Sequence, residues 1–241
     1  MNIAIIFAGG YGRRMTSAGR PKQFLEFAGK PIIVYTLELF DSHPEIGGIV
    51  VACLKEWIPF LKQKIAQFGI RKVIGIVPGG ETGQESIFFA LEEAERIRAG
   101  KDEADIVLIH DGVRPLINYQ TITDNIDCVH KHGSCITCVS ATESAIIQQD
   151  DGEVTIPSRP HMYMVRAPQS FFLKDILALQ RQAISEGRRD FVDSCTMMHY
   201  YGRPVHICIG PSENIKITTT IDYYVFKAMV ESLADKTLYN G

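Results

Sequence analysis

The first chemically informative segment is a glycine-rich loop that directly follows a short apolar run, residues 3–7. Glycine adopts positive φ at little cost and lets backbone N–H groups approach an anion closely. Basic side chains in the same loop concentrate positive charge there, although the chain as a whole is mildly acidic. A strand that ends in such a loop is typical of phosphate binding, and the combination indicates a nucleoside triphosphate. The residues concerned are Gly9, Gly10, Gly12, Arg14 and Lys22.

Further polar segments follow the third and fourth apolar runs and precede the last predicted helix. Open α/β sheets bind ligands beyond the carboxyl ends of their strands, so we expect these segments to lie at one edge of a sheet. We interpret His110, at the end of the fourth run, as a packing residue rather than a catalyst. The candidate site residues in these segments are Gly80, Glu81, Ser86, Asp111, Arg114 and Lys216.

The elements that must position these residues alternate along the chain. Apolar, β-branched runs occur at residues 3–7, 49–53, 73–77, 106–110 and 135–139. Amphipathic stretches predict helices at residues 31–40, 57–68, 84–96, 119–129, 174–186 and 220–238. This rhythm predicts an α/β fold, in which a mostly parallel twisted sheet is flanked by helices. We expect one domain over residues 1–241, with a charged surface loop at residues 99–105.

Residues 143–158 interrupt this rhythm with a predicted β-hairpin, whose Asp151-Gly152 pair favours a tight turn. We expect the hairpin to form an arm that protrudes from the body, as an insertion over about residues 140–161. An isolated two-stranded ribbon is marginal in water, and this one carries apolar residues on its strands. A second copy of the chain is the simplest partner. The apolar residues are Ile146, Ile147, Val154 and Ile156.

Composition excludes several classes of function. A net charge of −3 argues against general binding of nucleic acid or of anionic membranes. No apolar run approaches a bilayer-spanning length and no leader precedes the first strand, so we expect a soluble cytoplasmic protein. The cysteines lie mostly in apolar segments, as reduced thiols do. His130, His132, Cys135 and Cys138 have zinc-like spacing, but a strand would send the two cysteines to opposite faces.

Seven ordered motifs over nearly the whole chain carry a family resemblance. The chain resembles the cytidylyltransferases that activate polyol phosphates, which include the methylerythritol-phosphate and ribitol-5-phosphate enzymes. Several such motifs in order are specific, whereas one glycine loop is a weak signal. The resemblance implies a Rossmann-like nucleotidyltransferase fold. The motifs are A-G-G-Y-G-R-R-M, P-K-Q-F, G-G-x-x-x-x-x-S, H-D-G-V-R-P, A-P-Q-S-F, D-S-C and N-I-K-I-T.

The resemblance implies that CTP reacts with an alditol phosphate to give a CDP-alditol and pyrophosphate. Lys22 and Lys216 would then hold the α-phosphate, and Arg14 would lie over the β- and γ-phosphates. A divalent cation, Mg²⁺ or another, would bind the triphosphate. Because the acceptor phosphate is largely dianionic at neutral pH, with a second pKa near ~6, no general base is needed.

The same resemblance assigns the remaining residues. The cytosine would contact Ala8, Gly9, Gly80 and Ser86, chiefly through backbone groups. Asp111 and Arg114 would lie beside the metal or the polyol phosphate, with Asp111 as the metal ligand. In the family the arm exchanges across a homodimer and delivers a hydroxyl and an arginine to the neighbouring acceptor site. The matching positions are Arg159 and Ser144, or Thr142 if the local alignment shifts by one or two residues.

Two departures from the family pattern bear on specificity. Gly83 occupies a position where relatives usually carry an arginine, so one expected cation is missing. The segment 159–168 lacks the tryptophan that is typical of the methylerythritol enzymes. The motifs A-G-G, H-D-G-V-R-P and D-S-C are closer to the ribitol-phosphate branch. We therefore expect D-ribitol 5-phosphate as acceptor and CDP-ribitol as product, with 2-C-methyl-D-erythritol 4-phosphate and isoprenoid synthesis as the alternative.

Two functions of other classes fit part of the sequence. A Rossmann-type oxidoreductase would share the glycines after the first strand. However, Met15 replaces its third glycine, and the second strand ends without the carboxylate that would bind a ribose hydroxyl. A non-catalytic nucleotide sensor would be compatible with the missing arginine at Gly83.

Overall fold

The structure, a computed structural model, describes residues 1–10, 19–99 and 104–234. The strands are β1 (Asn2–Ala8), β2 (Glu26–Phe27), β3 (Lys30–Pro31), β4 (Ile46–Cys53), β5 (Val73–Pro78), β6 (Ile106–Asp111), β7 (Ser134–Ser140), β8 (Ile147–Gln148), β9 (Val154–Thr155), β10 (Tyr163–Phe172) and β11 (Ile207–Ile209). The helices are α1 (Ile32–Ser42), α2 (Ile58–Gln67), α3 (Gly83–Arg98), α4 (Tyr119–His132), α5 (Leu173–Ser185), α6 (Ser194–Tyr200) and α7 (Thr220–Ala234). Short 3₁₀ turns cover Lys22–Phe24, Lys55–Trp57 and Arg159–His161.

Seven strands form the central sheet in the order β11-β7-β10-β6-β1-β4-β5. All neighbours run parallel except β10, which lies antiparallel between β6 and β7. The strand order reverses between β1 and β6, because β4 and β5 continue on one side of β1 and β6 lies on the other. In open sheets the crevice beyond the carboxyl ends at such a point is the usual ligand site.

Helices cover both faces of this sheet. Ala4 and Ile6 of β1 pack in the core layer that contains α1, α2 and α4, whereas Ile3 and Ile5 pack in the layer that contains α3, α5 and α6. All four side chains are fully buried. Burial of each of the three isoleucines stabilises the fold by roughly 1.5–3 kcal/mol. Since both faces are covered, the strands are continuous apolar runs rather than alternating ones.

The alternating apolar runs and amphipathic stretches predicted most of these elements correctly. All five predicted strands and all six predicted helices are present, with ends displaced by a few residues. Four strands and one helix of the described chain were missed: β2 and β3, which have two residues each, and β10, β11 and α6. β10 contains Pro168 and several polar residues, α6 has seven residues and β11 has three, so none of them carries a sustained periodic pattern.

One sequence prediction about a loop needs correction, and one about a helix end extends beyond the described residues. Residues 99–105 were predicted to be a charged surface loop, but Asp105 is buried. Its carboxylate forms ion pairs with Arg98 and with the amino group of Met1, which compensate for the loss of water. The last helix was predicted to reach residue 238. The described part of α7 ends at Ala234, and the remainder lies outside the described residues.

The predicted hairpin is present as β8 and β9, which among the described strands pair only with each other. Gly152 has a φ of +89° at the turn, which explains the glycine there. The predicted apolar residues Ile146, Ile147, Val154 and Ile156 are all exposed. That a second chain covers these apolar side chains stays a prediction.

The two cysteines with zinc-like spacing lie on opposite faces of the sheet, as strand geometry predicted. Cys135 and Cys138 lie in opposite core layers, which separates the two thiols of the zinc-like cluster. All six cysteines are free thiols. Within the described ranges, no helix combines the length and the hydropathy needed to cross a bilayer.

Candidate functional site

The register of two neighbouring strands brings the candidate residues together. β1 and β6 pair in parallel with Phe7 opposite Asp111, and the amide of Gly112 donates to the carbonyl of Phe7 at 3.0 Å. The loops after β1 and β6 therefore begin side by side. A cavity of about 160 Å³, which we call the nucleotide cavity, opens at this edge. It is lined by predicted site residues, namely Ala8, Gly9, Gly10, Lys22, Gly80, Glu81, Ser86, Asp111 and Lys216.

Close backbone packing explains the glycines on one side of the nucleotide cavity. A Cβ on Gly9 would lie 2.7 Å from Ser86 Oγ and 3.1 Å from the Cα of Gly79. A Cβ on Gly80 would overlap Glu85. The Ser86 hydroxyl accepts from the amide of Gly80 at 3.1 Å and donates to the carbonyl of Thr82 at 2.9 Å. Ser86 therefore fixes the position of the loop that follows β5.

The same loop leads into the N-terminus of α3. The Thr82 side chain caps the helix by accepting from the amide of Glu85 at 3.1 Å. Thr82 and Gly83 line the nucleotide cavity, so the positive end of a 16-residue helix faces it. This orientation favours anionic ligands.

Lys22 is held at the opposite side by its neighbours in the chain. It begins the 3₁₀ turn Lys22–Phe24, and the fully buried Phe24 stacks on Trp57 with ring centroids 4.8 Å apart. The buried Gln23 donates to the carbonyls of Ala8 at 2.7 Å and Gly10 at 3.1 Å. Gln23 thus ties the lysine turn to the glycine loop. The sequence analysis missed this role, although Gln23 is adjacent to Lys22 in the P-K-Q-F motif.

Asp111 is the electrostatic centre of the site. Its Oδ2 accepts from Arg114 Nε at 2.8 Å, and its Oδ1 lies 2.6 Å from Lys216 Nζ. Burial alone would raise the pKa of Asp111, but Lys216 and Arg114 outweigh it and lower the pKa to about 2. Burial lowers the pKa of the neighbouring His110 to about 4, so this imidazole is neutral at physiological pH. His110 is fully buried, as the sequence predicted.

Lys216 is placed by the segment that precedes α7. The fully buried Asn214 donates to the carbonyl of Ala167 at 2.6 Å, and its own carbonyl accepts from Arg114 at 2.9 Å. The amide of Ile217 donates to the carbonyl of Val113 at 2.9 Å. These bonds link the lysine segment to β10 and to the loop after β6.

A second cavity of about 320 Å³, which we call the larger cavity, adjoins the first. Phe7, Gly83, Asp111 and Lys216 line both. Arg114 lines only the larger cavity. Four further residues, which were not among the predicted site residues, also line the larger cavity. Three of the four lie in or next to the motifs A-P-Q-S-F and D-S-C. The four are Arg166, Gln169, Gln180 and Ser194.

The structure does not bring every predicted residue to these cavities. Thr142, Ser144 and Arg159 lie on the arm, are exposed, and line neither cavity in the described part of this chain. Gly12 and Arg14 lie outside the described residues. Every other residue that was predicted to bind the nucleotide lines the nucleotide cavity. Asp111 and Lys216 line both cavities, and Arg114 lines the larger one.

The side chains at the two cavities could hold a divalent cation only if the substrate supplies further ligands. Among the described residues, no group of three or more His, Cys, Asp or Glu side chains is arranged to hold a metal. Asp111 is a single carboxylate at the boundary of the two cavities. Mg²⁺ is commonly bound by one or two carboxylates and by substrate phosphates, which fits this arrangement. Asp111 would have to release Lys216 from Oδ1 to coordinate the ion.

Comparisons with known proteins agree with the geometry. The model of the family described as "IspD: 2-C-methyl-D-erythritol 4-phosphate cytidylyltransferase" matches residues 2–232. The chain is 47% identical over 240 residues to a ribitol-5-phosphate cytidylyltransferase of Streptococcus agalactiae serotype Ia, covering 99% of each chain. It is 46% identical over 233 residues to the enzyme of that name from Vibrio parahaemolyticus, covering 96% of this chain and 97% of the other.

Solved structures show the same fold. The 4-diphosphocytidyl-2C-methyl-D-erythritol synthase of Anaerococcus prevotii superposes with a TM-score of 0.81 at 25% identity, covering 95% of this chain and 96% of that one. The 2-C-methyl-D-erythritol 4-phosphate cytidylyltransferase of Thermus thermophilus superposes with a TM-score of 0.72 at 21% identity, covering 96% and 100%.

Proposed function

The chain belongs to the IspD family of cytidylyltransferases, and we propose that it transfers the cytidylyl group of CTP to D-ribitol 5-phosphate. The products are CDP-ribitol and pyrophosphate. Family membership favours this class over the oxidoreductase and the non-catalytic sensor. The observation that carries the proposal is that two cavities meet at Asp111 and Lys216. The nucleotide cavity suits a triphosphate, and the larger cavity has room for a second substrate.

The reaction needs positioning and charge neutralisation rather than proton removal. A phosphate oxygen of the acceptor attacks the α-phosphorus of CTP in line, and the bond from that phosphorus to the bridging oxygen breaks. Pyrophosphate leaves with the electron pair of that bond. The acceptor phosphate is a dianion for most of the neutral range, so no side chain needs to act as base. The neutral, buried His110 is consistent with this requirement.

The two lysines supply the charge that this attack requires. Both line the nucleotide cavity, Lys22 on the 3₁₀ turn and Lys216 beside Asp111. In the proposal they contact the α-phosphate, where negative charge accumulates as two anions approach. A divalent cation on Asp111 would neutralise charge on the triphosphate. Arg14 is proposed to contact the β- and γ-phosphates.

The remaining nucleotide contacts are proposed to be mainly backbone groups. Ala8, Gly9, Gly10 and Gly80 line the nucleotide cavity, and their backbone groups are proposed to contact the base. Glu81 and Ser86 line it as well, and Ser86 keeps Gly80 in place. Gly12, outside the described residues, is proposed to act with the rest of the glycine loop.

The relatives support ribitol 5-phosphate as acceptor. Two named ribitol-5-phosphate cytidylyltransferases share 46–47% identity with the chain over nearly its whole length. The solved structures named for the methylerythritol reaction share 20–25% identity. 2-C-methyl-D-erythritol 4-phosphate is the second candidate, because the family model bears its name.

We also propose that a homodimer completes the acceptor site. The arm carries Arg159 and Ser144 at exposed positions, and its apolar side chains lack a covering surface within the described chain. A partner's arm would place an arginine and a hydroxyl, from Ser144 or Thr142, near Arg114.

One assay decides among the acceptors. CTP and Mg²⁺ are supplied with ribitol 5-phosphate, 2-C-methyl-D-erythritol 4-phosphate and other alditol phosphates in parallel, and pyrophosphate release gives kcat/KM for each. A clear preference for ribitol 5-phosphate is expected. A preference for the methylerythritol substrate would assign the chain to the other branch, and release with none of them would contradict the proposal.

A further inference from the structure

The segment between α5 and α6, residues 186–193, joins the walls of the two cavities, and we call it the α5–α6 loop. Phe191, Val192 and Asp193 at its end line the larger cavity. Its middle part contacts the first turn of α3, and the residues that begin this helix line the nucleotide cavity. The α5–α6 loop can therefore act on the nucleotide cavity from a position outside it.

Gln84 anchors the α5–α6 loop to α3. Its Nε2 donates to the carbonyl of Arg188 at 3.1 Å, and its Oε1 accepts from the amide of Phe191 at 3.1 Å. The guanidinium group of Arg188 lies 4.0 Å from the ring centroid of Tyr200, and this cation–π contact adds to the anchorage. Arg189 lies between the two anchored residues, so the backbone that carries its side chain is fixed against α3.

Glu85, which is buried in the first turn of α3, uses both oxygens of its carboxylate. Oε2 accepts from the amide of Glu81 at 2.9 Å, in the loop that lines the nucleotide cavity. Oε1 lies 2.6 Å from Nη1 of Arg189. Thr82 and Glu85 also form a capping box at the start of the helix, which explains the carboxylate but not the arginine.

The charge of Glu85 affects any anion at this end of α3. Burial would raise the pKa of Glu85, but Arg189 and the amides of Glu81 and Thr82 outweigh it and lower the pKa. The group is therefore a carboxylate at neutral pH. A carboxylate at the positive end of a helix competes with a second anion for that end. Arg189 neutralises this charge, although its side chain is 57% exposed and lines neither cavity of the described chain.

We propose that Arg189 is a positioning residue for the triphosphate substrate: it neutralises Glu85 and keeps this carboxylate in the orientation that fixes the Glu81 amide. This inference rests on the proposed function, since it needs CTP in the nucleotide cavity. Gly80 packs directly against Glu85, where no Cβ would fit. A shift of Glu85 therefore moves backbone that is proposed to contact the base. Arg189 acts on the binding of CTP, whereas the two site lysines act on the reacting phosphorus.

Arg189→Ala tests this role through direct binding of CTP with Mg²⁺, measured by isothermal titration calorimetry without acceptor. The Kd of CTP is expected to rise about three- to fivefold, as befits a partly exposed ion pair. KM for CTP is expected to rise likewise, while kcat changes less than about twofold, because Arg189 does not contact the reacting atoms. Arg189→Lys keeps the charge, so its Kd is expected to stay within about twofold of the wild-type value.

Removal of both charges separates electrostatics from packing. Glu85→Gln keeps an acceptor for the amide of Glu81 but removes the negative charge. The double variant Arg189→Ala/Glu85→Gln therefore has no uncompensated carboxylate at the start of α3. It is expected to bind CTP about threefold more tightly than Arg189→Ala alone. If Arg189 only stabilised the fold, the double variant would bind as weakly as Arg189→Ala or more weakly.

Arg181→Ala is the matched control. Arg181 on α5 pairs with Glu95 on α3 at 2.6 Å, so this ion pair also links the region of α5 to α3. Glu95 lies roughly 15 Å further along α3 than Glu85. Arg181→Ala is expected to bind CTP like the wild type. The melting temperatures of Arg181→Ala and Arg189→Ala are expected to differ little from each other, since both lose one exposed ion pair.

Three results would overturn the inference: an unchanged Kd of CTP in Arg189→Ala, an equal loss of affinity in Arg181→Ala, or a double variant that binds no better than Arg189→Ala. The proposed function fails separately if the wild type binds CTP but releases no pyrophosphate with any alditol phosphate. The binding comparison still decides the role of Arg189 in that case. If the wild type binds another nucleoside triphosphate instead, the variants are measured with it, and unchanged affinity again overturns the inference. A wild type that binds no nucleotide would overturn both.

Discussion

Lys216 Nζ lies 2.6 Å from Oδ1 of Asp111, at the boundary between the two cavities. The carboxylate is buried, whereas the lysine side chain is 39% exposed and can turn towards a ligand. A phosphate that enters the nucleotide cavity competes with Asp111 for this ammonium group. We infer that substrate binding exchanges the lysine from carboxylate to phosphate and frees Asp111 Oδ1 for a cation.

Lys22→Ala and Lys216→Ala are expected to lower kcat by about 100-fold or more, since each removes a cation from the charge that develops at the α-phosphate. Pyrophosphate release under saturating substrates measures this loss, and circular dichroism checks the fold. Lys62→Ala, an exposed lysine on α2, is the matched control. Wild-type turnover in both site variants would refute their proposed roles.

Asp111→Asn is expected to reduce turnover by about 100-fold, since it keeps the shape of the side chain but removes the charge that would hold the cation. The apparent Mg²⁺ affinity, measured from the metal dependence of pyrophosphate release, is expected to fall as well. Asp127→Asn, exposed on α4, serves as control. An unaltered metal dependence in Asp111→Asn would assign the cation to other ligands.

The decrease of kcat/KM at acidic pH is expected to follow protonation of the acceptor phosphate. The pKa values of Asp111, about 2, and His110, about 4, place both titrations below the working range. As pH falls through the second phosphate pKa, near ~6, the acceptor becomes a monoanion and kcat/KM drops with a slope of one. A phosphonate analogue with a higher second pKa moves this decrease to higher pH. A decrease that does not move with the analogue would identify a titrating enzyme group instead.

Asp105→Asn is expected to destabilise the protein at pH 7 by about 3 kcal/mol, because it breaks a buried ion pair. Arg98 donates to Asp105 at 2.7 and 2.9 Å. Burial would raise the pKa of Asp105, but Arg98 and the Met1 amino group outweigh it and lower the pKa. The native state therefore favours the ionised form, and the contribution is complete above the unfolded pKa, near ~3.9.

Thermal unfolding at several pH values measures this effect. The difference in stability between wild type and Asp105→Asn is expected to shrink as pH falls through the lowered pKa of the folded state, where the carboxyl becomes protonated. Asp150→Asn, on the exposed hairpin, is the control. A difference that stays constant down to acidic pH would contradict the ion-pair explanation.

Mixing Arg159→Ala subunits with Lys22→Ala subunits is expected to restore part of the activity. If the arm acts across a homodimer, one site of each heterodimer keeps both residues and the other site loses both. Each parent variant alone is expected to be nearly inactive. Turnover by purified, differently tagged heterodimers measures the restoration. Heterodimers as inactive as their parents would show that the arm serves its own chain.

The sequence predicted the parallel part of the sheet because burial on both faces leaves continuous apolar runs. It also predicted the phosphate loop, since the glycines and cations that bind an anion are neighbours in the chain. The antiparallel strand β10 was missed. Its pairing with β6 and β7 is nonlocal, and polar residues such as Arg166 and Gln169 interrupt its apolar pattern.

The sequence by itself determined which groups are present: a glycine loop, two site lysines, Asp111 and Arg114. Only the tertiary structure decided that Lys216 pairs with Asp111, and that Arg189 pairs with Glu85. These contacts join residues far apart in the chain. They depend on strand order and on the register that sets Phe7 opposite Asp111, which local patterns of polarity do not encode.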